Sequence, residues 1–578
     1  MSNSQQTFPF KAAAAGSGAK RRPKASSSGG KTPRTGGKNR IRRRAPAAAP
    51  RARKKEAASR VTAESMAERQ REISVSEFFA KNRHLLGFDN PSKALLTTVK
   101  ELVDNALDAT DEGRIPADIE VRVDQLAEDR FRATCTDNGP GIVAREVPRI
   151  FGKLLYGSKF HRLKMSRGQQ GIGVSAAGMY GLLTTGHPVR VLTRTASQTK
   201  AVEFEIAIDT KKNEPKVRDR RETKWDVPQG TRVTIELEAS YRKGQHSVDS
   251  YIHQISLANP HATVRYLGPG RANDDDLTVF ERVTDELPPE TAEILPHPYG
   301  VELGVLFRLL HESKARSVSS LLSAEFSRMS PRLAQQICKT GGINPGRKPR
   351  TMELADAEAL HRAIAKTKIM APPTDCIAPI GMELLERALR AMEPAEFFTA
   401  VTRRPAVYRG NPFLIEAAVA WGGSLSADDS ATVYRFANRV PLQYQQGGCA
   451  ITRSVISADW RKYGLQQPRG ALPVGPAVVL VHIASVWVPF TSESKEAIAH
   501  YPEILREIKL ALQDCGRKLS AFINRRRREQ DEAKKRSFIQ KYIPQVVIAL
   551  QEILKLTDSQ RDKTVSKLTT VLERSRKM

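Results

Sequence analysis

The stretch that decides the fold reads Glu101-Leu102-Val103-Asp104-Asn105-Ala106-Leu107-Asp108. If it is helical, Glu101, Asn105 and Asp108 lie on one face, because positions i, i+4 and i+7 of an α-helix share a face. The other faces are apolar, so the helix is predicted to be buried on most sides. An amide oxygen can ligate Mg²⁺ and a carboxylate can deprotonate an attacking water, so the polar face suits a magnesium–nucleotide site. For this segment by itself, a solvated acidic face is the alternative.

The N-terminal segment is strongly basic. The chain has 578 residues and a formal net charge of +30, and residues 1–60 hold 17 Lys and Arg against one acid, Glu56, a net of +16. Almost no large apolar residues occur there, so residues 1–72 are predicted to form a disordered basic tail. Such a tail suits a polyanion. Nucleic acid is favoured over an acidic membrane surface, because no lipidation motif or amphipathic anchor accompanies the charge.

The spacing of the cysteines and the shortness of the apolar runs limit the class of protein that this chain can be. No two of the five cysteines form a CxxC pair, so neither a zinc site nor a disulfide framework is predicted, and a reducing compartment is expected. No signal peptide and no apolar run of membrane-spanning length is found, so we expect no membrane association. At 578 residues, several domains are expected.

The order of predicted elements between residues 73 and 300 indicates an α+β layered sandwich. The helix of Glu101 comes first and is ended by Gly113, and a strand pair (119–124 and 131–137) and a turn cluster (137–142) follow it. Next come a helix (147–155) and a glycine-rich loop (168–177). Two β-rich runs (188–208 and 231–238), joined by a polar loop (211–230), complete this part of the chain. Short helices follow over 301–376, and strands alternate with turns over 398–490. Apolar residues at steps of three and four then predict a long helix from near Pro502 into Arg525–Arg528, with an appended helical segment over 537–578.

The glycine-rich loop is predicted to cradle phosphates. Gly171–Ala176 fits the dinucleotide pattern G-x-G-x-x-A, but a basic loop precedes it and Arg194 stands where that pattern needs an acid. Backbone N–H groups at a helix N-terminus bind anions in any fold, so phosphate binding is the preferred interpretation. No P-loop pattern occurs in the chain.

Taken together, three motifs resemble those of the GHKL (Bergerat) ATPases: Glu101-x-x-x-Asn105, Asp137-x-Gly139-x-Gly141 and the loop 168–175. Further stretches resemble the B subunits of DNA topoisomerase VI, the ATPase subunits of type IIB topoisomerases. They are residues 74–79, 99–108, 156–159, 408–413, 435–442 and 488–495. The resemblance covers about residues 73 to 530.

The resemblance implies an α+β multidomain fold. It implies a GHKL ATPase α/β sandwich over 73–300, a helix-two-turns-helix domain over 301–377, and a ribosomal S5-like α/β transducer domain with a long stalk helix over 378–536. Residues 537–578 are left as a C-terminal helical extension. The basic residues near 341–350 either contact DNA or form a solvated loop on a structural strut. The run Arg525–Arg528 meets DNA phosphates or a partner subunit, or else complements the helix C-terminus.

The same resemblance implies ATP and Mg²⁺ as cofactors and gives each motif residue a role. Glu101 is expected to be the general base, Asn105 the Mg²⁺ ligand, and Lys495 a contact to the γ-phosphate from the next domain. Asp137 is expected to accept from the adenine amino group, Gly141 to allow close approach of the backbone, and Ser158 and Lys159 to lie in the lid. The triphosphate is expected to be wrapped by Gly168, Gln169, Gln170, Gly171, Ile172, Gly173, Val174 and Ser175. Asp104 and Asp108 belong either to the water network or to a polar helix face.

The function implied is that of an ATP-dependent DNA topoisomerase. ATP is expected to dimerise the chain around a DNA duplex and drive strand passage through a break made by an A subunit, within an A₂B₂ heterotetramer that relaxes or decatenates DNA. Such a protein belongs in the cytoplasm with the nucleoid, or in the nucleus of a eukaryote. The alternatives are another GHKL machine, of chaperone or mismatch-repair type, and a DNA-binding scaffold with an inactive ATPase fold.

Deleting residues 1–60 is expected to flatten the salt dependence of DNA affinity without changing basal ATP hydrolysis. A plot of the logarithm of the DNA association constant against the logarithm of the salt concentration has a negative slope. For every DNA phosphate that the protein no longer neutralises, the magnitude of this slope falls by about 0.9. Fluorescence anisotropy titrations on duplex DNA at several salt concentrations measure the slope. An unchanged slope would show that the tail does not contact DNA and would leave a nuclear-targeting signal as its interpretation.

Overall fold

The computed structural model describes residues 63–67, 70, 73–157, 162–168, 171–270 and 276–574. The chain divides into two units, residues 1–71 and 72–578. In the first unit, helix α1 (Ala63–Ala67) and Gln70 are described, and the rest of the predicted tail lies outside the described residues. The remaining described residues, from 73 onward, belong to the second unit. Across the described ranges, no helix is long and apolar enough to cross a membrane.

An eight-stranded sheet and the helices on its buried face hold the first core. The helices are α2 (Val75–Lys81), α3 (Pro91–Glu112), α4 (Val147–Gly152), α5 (Gly173–Thr185) and α6 (Val248–Ala258). The strands are β1 (Asp118–Ala127), β2 (Arg130–Asp137), β3 (Val189–Arg194), β4 (Ala201–Asp209), β5 (Glu214–Thr223), β6 (Gly230–Glu238), β7 (Thr263–Leu267) and β8 (Thr278–Phe280). Their order is β5-β4-β3-β6-β2-β1-β7-β8, and every neighbouring pair is antiparallel except β1 and β7. In β1 and β2 buried and part-buried residues alternate, as expected when one face of a sheet packs on a core.

Helix α3 lies against this sheet as the sequence predicts. It begins where Asn90 accepts a hydrogen bond from the Lys93 amide at 2.9 Å, and Gly113 follows its last turn. Leu102, Val103 and Leu107 are at most 4% exposed. The prediction of a helix buried on most sides is therefore confirmed. Each such side chain contributes about 1.5–3 kcal/mol to the stability of the fold.

The polar loop predicted over 211–230 contains strand β5, so that prediction is wrong for Glu214–Thr223. The strand pairs with β4 alone, and most of its residues are exposed. Its side chains are largely charged, and Arg221 forms an ion pair with Glu203 of β4 at 2.8 Å. A charged edge strand has no buried face to impose apolar alternation, which is why the pattern missed it.

Four helices over residues 303–366 form a separate small core. They are α7 (Leu303–Glu312), α8 (Val318–Glu325), α9 (Pro331–Thr340) and α10 (Leu354–Lys366). In the basic loop between α9 and α10, Arg347 pairs with Asp356 at 2.9 Å, and Arg350 donates to the Ser313 carbonyl at 3.2 Å. Two of the arginines predicted either to meet DNA or to lie on a structural strut therefore also hold the loop in place.

The third core joins a six-stranded sheet to a long helix. Its helices are α11 (Met382–Met392), α12 (Ala450–Ser457), α13 (Pro502–Leu554) and α14 (Asp558–Arg574). Its strands are β9 (Phe397–Thr402), β10 (Ala406–Tyr408), β11 (Asn411–Trp421), β12 (Thr432–Ala437), β13 (Val440–Pro441) and β14 (Ala477–Ser485). The order is β10-β11-β14-β12-β13, with β9 beside β10 on the same edge of β11. The predicted apolar stripe on α13 is buried here: Ile504, Ile508, Leu512, Cys515 and Leu519 are at most 1% exposed.

Helix α13 does not end at Arg525–Arg528, so that prediction is wrong. The helix continues to Leu554, and the predicted boundary between residues 536 and 537 falls inside it. Residues 529–535 are Glu, Gln, Asp, Ala and Lys, most of which favour a helix without burying a face. Helical propensity therefore carries the helix across this span, and beyond it Ile543 and Val547 are buried again, although Pro544 lies inside the helix.

A buried carboxylate joins two strands of this sheet to the chain entering α11. Glu416 is fully buried and accepts from the Ile380 and Gly381 amides and from His482 Nδ1, each at 2.8 Å. His482 Nε2 accepts in turn from the Arg439 amide at 3.0 Å, so the ring carries its proton on Nδ1. Burial raises the pKa of Glu416, but these hydrogen bonds outweigh it and the pKa is lowered.

Replacing Glu416 with Leu is expected to destabilise this six-stranded sheet by about 3–5 kcal/mol, because two amides and His482 lose their acceptor. Denaturation followed by the fluorescence of Trp421 and Trp460 measures the change. Glu386→Gln, which breaks an exposed pair with Arg390, is the matched control and should cost less than about 1 kcal/mol. Similar denaturation midpoints for the Glu416→Leu and Glu386→Gln variants would contradict the prediction.

Candidate active site

A cavity of about 540 Å³ lies between α3, the start of α5 and the loop 493–496. Most of the predicted site residues line it: Glu101, Asn105, Gly168, Gly171, Ile172, Gly173, Val174, Ser175 and Lys495. Ser158, Lys159, Gln169 and Gln170 lie outside the described residues. Side chains almost four hundred residues apart in the chain therefore meet around one space.

Glu101 and Asn105 lie one helical turn apart and face this cavity. Asn105 Nδ2 donates to the Glu101 carbonyl at 2.7 Å, which leaves the amide oxygen directed away from the helix. A Cβ on Gly173 would fall 1.6 Å from Glu101 Oε2, so any other residue there would displace the carboxylate. Lys100 Nζ lies 3.6 Å from Glu101 Oε1.

Asn105 offers a single oxygen ligand, which fits a magnesium ion whose other ligands are phosphate oxygens and water molecules. Nowhere in the described ranges do three His, Cys, Asp or Glu form a metal-binding group. Mg²⁺ is commonly held by one or two protein oxygens together with phosphate oxygens and water. Asn105 Oδ1 is an oxygen of this kind, directed toward a cavity with room for phosphates.

Asp137 lies in an adjoining apolar pocket of about 180 Å³, which shares Asn105, Ile150 and Val174 with the larger cavity. Asp137 Oδ1 accepts from the amides of Gly139 at 2.9 Å and Thr231 at 3.3 Å. Burial raises the pKa of this carboxyl to about 6, although the two amide N–H groups oppose the shift. An apolar slot with one carboxylate suits a flat heterocycle that carries an amino group.

Two features of the backbone shape the site. Gly141 has φ = 74°, and a Cβ there would fall 2.1 Å from the Arg194 carbonyl oxygen, so no other residue fits. In α5, the first described helical hydrogen bond runs from the Ala176 amide to the Ile172 carbonyl at 2.8 Å. The amides of residues 173–175 therefore have no partner within the helix and can bind an anion.

Ser175 lines the cavity, and its hydroxyl bonds within the fold. Its hydroxyl donates to the carbonyls of Ile150 and Lys153, both at 3.2 Å, and its side chain is buried. The hydroxyl thus fastens α5 to the end of α4.

Lys495 reaches the cavity from the third core. Its backbone has φ = 54°, and Nζ donates to the Arg167 carbonyl at 3.2 Å. Burial lowers the pKa of Lys495, and the nearby cation Lys100 lowers it further. A second bridge lies beside it, where Lys93 Nζ of α3 meets Glu496 Oε1 at 2.5 Å.

Sequence reasoning missed Lys100, which lies between two carboxylates of α3. Its Nζ is 3.6 Å from Glu101 Oε1 and 3.9 Å from Asp104 Oδ2. Burial acts to lower the pKa of Lys100, but the two carboxylates outweigh it and the pKa is raised. The only signal in the sequence is its position beside Glu101, which does not separate it from a surface lysine.

Asp104 and Asp108 are buried, so the alternative of a solvated acidic face is wrong. Asp104 Oδ1 accepts from the Tyr251 hydroxyl at 3.1 Å, and burial raises its pKa to about 6. Asp108 Oδ1 accepts from Arg167 at 3.0 Å. Both carboxylates therefore fix neighbouring elements to α3.

Comparison with known proteins agrees with this geometry. Residues 90–241 match the family model described as "Histidine kinase-, DNA gyrase B-, and HSP90-like ATPase", and residues 372–535 match "Topoisomerase VI B subunit, transducer". The B subunit of type 2 DNA topoisomerase 6 from Methanosarcina barkeri is 44% identical over 85% of this chain and 79% of its own length. The proteins of the same name are 45% identical in Methanococcoides burtonii (85% and 79% of the two chains) and 43% identical in Archaeoglobus fulgidus (87% and 83%). Since the identity extends over most of both chains, and the cavity joins the two matched regions, the protein belongs to the family of type 2 DNA topoisomerase 6 B subunits.

Proposed function

We propose that this chain is the ATP-hydrolysing B subunit of a type IIB DNA topoisomerase, and that its ATPase cycle captures one DNA duplex and drives it through another. The observation that supports this most directly is the shared cavity. Glu101 and Asn105 lie in the ATPase region and Lys495 in the transducer region, and all three line one space. Hydrolysis at such a site can change how the two regions are held together.

The nucleotide is proposed to span the two adjoining pockets. Asp137 accepts a hydrogen bond from the adenine amino group in the smaller pocket, which favours ATP over GTP. The phosphates lie in the larger cavity against the free amides at the start of α5. Lys495 binds the γ-phosphate, so the transducer senses whether that phosphate is present.

Glu101 is proposed to act as the general base. Its carboxylate lies beside Gly173, next to the amides that hold the phosphates, and it can take the proton of an attacking water. Asn105 holds Mg²⁺ through Oδ1. The ion, when bound, neutralises charge on the phosphates.

The partners are proposed from the family and from charge. DNA suits a chain of net charge +30, and the cutting of DNA is assigned to an A subunit, with which two B subunits form an A₂B₂ complex. ATP binding is proposed to dimerise the B subunits. The assembly acts where the chromosome lies, in the cytoplasm of a prokaryote or the nucleus of a eukaryote.

Glu101→Gln is expected to lower ATP turnover by about 10²–10⁴-fold, because the amide cannot accept the proton of water. ATP affinity should stay close to wild type, since the side chain keeps its shape. Turnover is measured with DNA and the A subunit present, and affinity with a non-hydrolysable analogue. Glu112→Gln, an exposed change on the same helix, is the control. Relaxation of supercoiled DNA at near wild-type rate by Glu101→Gln would remove Glu101 from this role.

Asp137→Asn is expected to stabilise the free protein while weakening ATP binding by tenfold or more. The pKa of Asp137 is raised in the folded state from 3.8 to about 6, so the wild type loses stability as pH rises through this range. The Asp137→Asn variant has no carboxyl group to ionise at this position, so its stability does not fall in this way as pH rises. Its advantage over the wild type should be near zero below about pH 3 and reach about 3 kcal/mol well above pH 6.

Melting temperatures across this pH range, with and without ATP, test the prediction. Asp129→Asn, in the exposed β1–β2 turn, is the matched control and should show neither effect. A Tm difference between Asp137→Asn and wild type that does not vary with pH would contradict it.

A further inference from the structure

Arg167 is a buried cation that the ATPase reaction, as described above, does not use. Its guanidinium donates to Asp108 Oδ1 at 3.0 Å, to Asp111 Oδ2 at 2.7 Å and to Asn259 Oδ1 at 2.5 Å. Its side chain is 5% exposed. Two carboxylates of α3 and an amide at the end of α6 therefore fix the side chain, and with it the backbone of residue 167.

The transducer contacts that fixed backbone. Lys495 Nζ donates to the Arg167 carbonyl at 3.2 Å, and Asn438 Nδ2 donates to the Ser166 carbonyl at 3.0 Å. Asn438 is itself held, because its side chain exchanges two hydrogen bonds of 2.9 Å with the backbone of Ser485. The positions of two adjacent carbonyls thus decide where this part of the transducer docks.

The next residue belongs to the phosphate side of the site. The Gly168 amide donates to Asp108 Oδ2 at 3.2 Å, and Gly168 lines the cavity. A Cβ on Gly168 would lie 4.0 Å from Asn105 Oδ1. Asp108 therefore holds Arg167 with one oxygen and Gly168 with the other, three residues after the proposed metal ligand.

We propose that Arg167 is a positioning residue of the ATPase cycle, which holds its own carbonyl, and through it Lys495 Nζ, in line with the γ-phosphate. This inference rests on the proposed function of Lys495. A neutral carbonyl compensates a buried ammonium only in part, so Lys495 keeps a strong attraction for an anion. Arg167 keeps that ammonium at the edge of the cavity, where a small movement carries it to the phosphate. A purely structural role, as an anchor of the domain junction, is the alternative.

Arg167→Lys separates the two roles. It keeps a cation beside Asp108 and Asp111 but loses the planar fork that bonds both carboxylates and Asn259 at once. ADP affinity should stay within about twofold of wild type, because ADP has no γ-phosphate to meet Lys495. Affinity for a non-hydrolysable ATP analogue should fall about tenfold. Arg114→Lys, at an exposed arginine that donates to the Pro288 carbonyl, is the matched control and should change neither affinity.

A double-mutant cycle gives the deciding result. In a Lys495→Met background, Arg167→Lys should change the preference for the analogue over ADP by less than twofold, because both changes act through one contact. An equal loss of analogue affinity in both backgrounds, or a parallel loss of ADP affinity, would overturn the proposal. If Arg167→Lys fails to fold, Asp111→Asn weakens the same anchor and should show a smaller effect with the same dependence on Lys495. Absence of ATP hydrolysis in the wild type is a different result, and would count against the proposed function itself.

Discussion

The structure depends on the way in which a helix that is buried on most sides carries acidic side chains. Water cannot solvate these carboxylates freely, so each needs a hydrogen-bond donor or a cation from a neighbouring element. The partners come from different parts of the fold: Lys100 lies beside Glu101, Tyr251 of α6 binds Asp104, and Arg167 binds Asp108 and Asp111. Satisfying the charges of α3 therefore also places α6 and the loop that carries Arg167 and Gly168.

The same interactions divide the helix into a reactive end and a structural end. Asn105 faces the cavity with its amide oxygen available, whereas Asp108 uses both oxygens to hold Arg167 and Gly168. One turn of helix thus separates a group that faces the cavity from a group that fixes the loop beside it. Asp137 shows the opposite arrangement, since its carboxyl is kept in an apolar slot where the charged form is disfavoured. That cost to the free protein is offset when a ligand donates a hydrogen bond to it.

Helical periodicity in the sequence was enough to place Glu101 and Asn105 on one face and to find the buried stripe of α13. It could not find β5, whose charged residues bury no face, nor the continuation of α13 past Arg528, because the polar residues 529–535 interrupt the apolar pattern. Lys495 was reached only through the resemblance to known B subunits, because nothing local distinguishes it from a surface lysine. Arg167 was missed because arginines in a basic loop are usually solvated. Its partners, separated from it by more than fifty residues, become visible only in three dimensions.

Helix α13 gives the molecule a mechanical lever. With 53 residues it is about 80 Å long, and Arg403 ties its first turns to the sheet through Glu507 and Asp514. Further along the helix, Arg526 pairs with Glu396, the residue before β9. The 28 residues from Arg526 to Leu554 span about 42 Å, so a rotation of about 10° at Arg526 would carry the far end by about 7 Å. A small rotation where the helix leaves the sheet can therefore become a displacement of several ångströms at its far end.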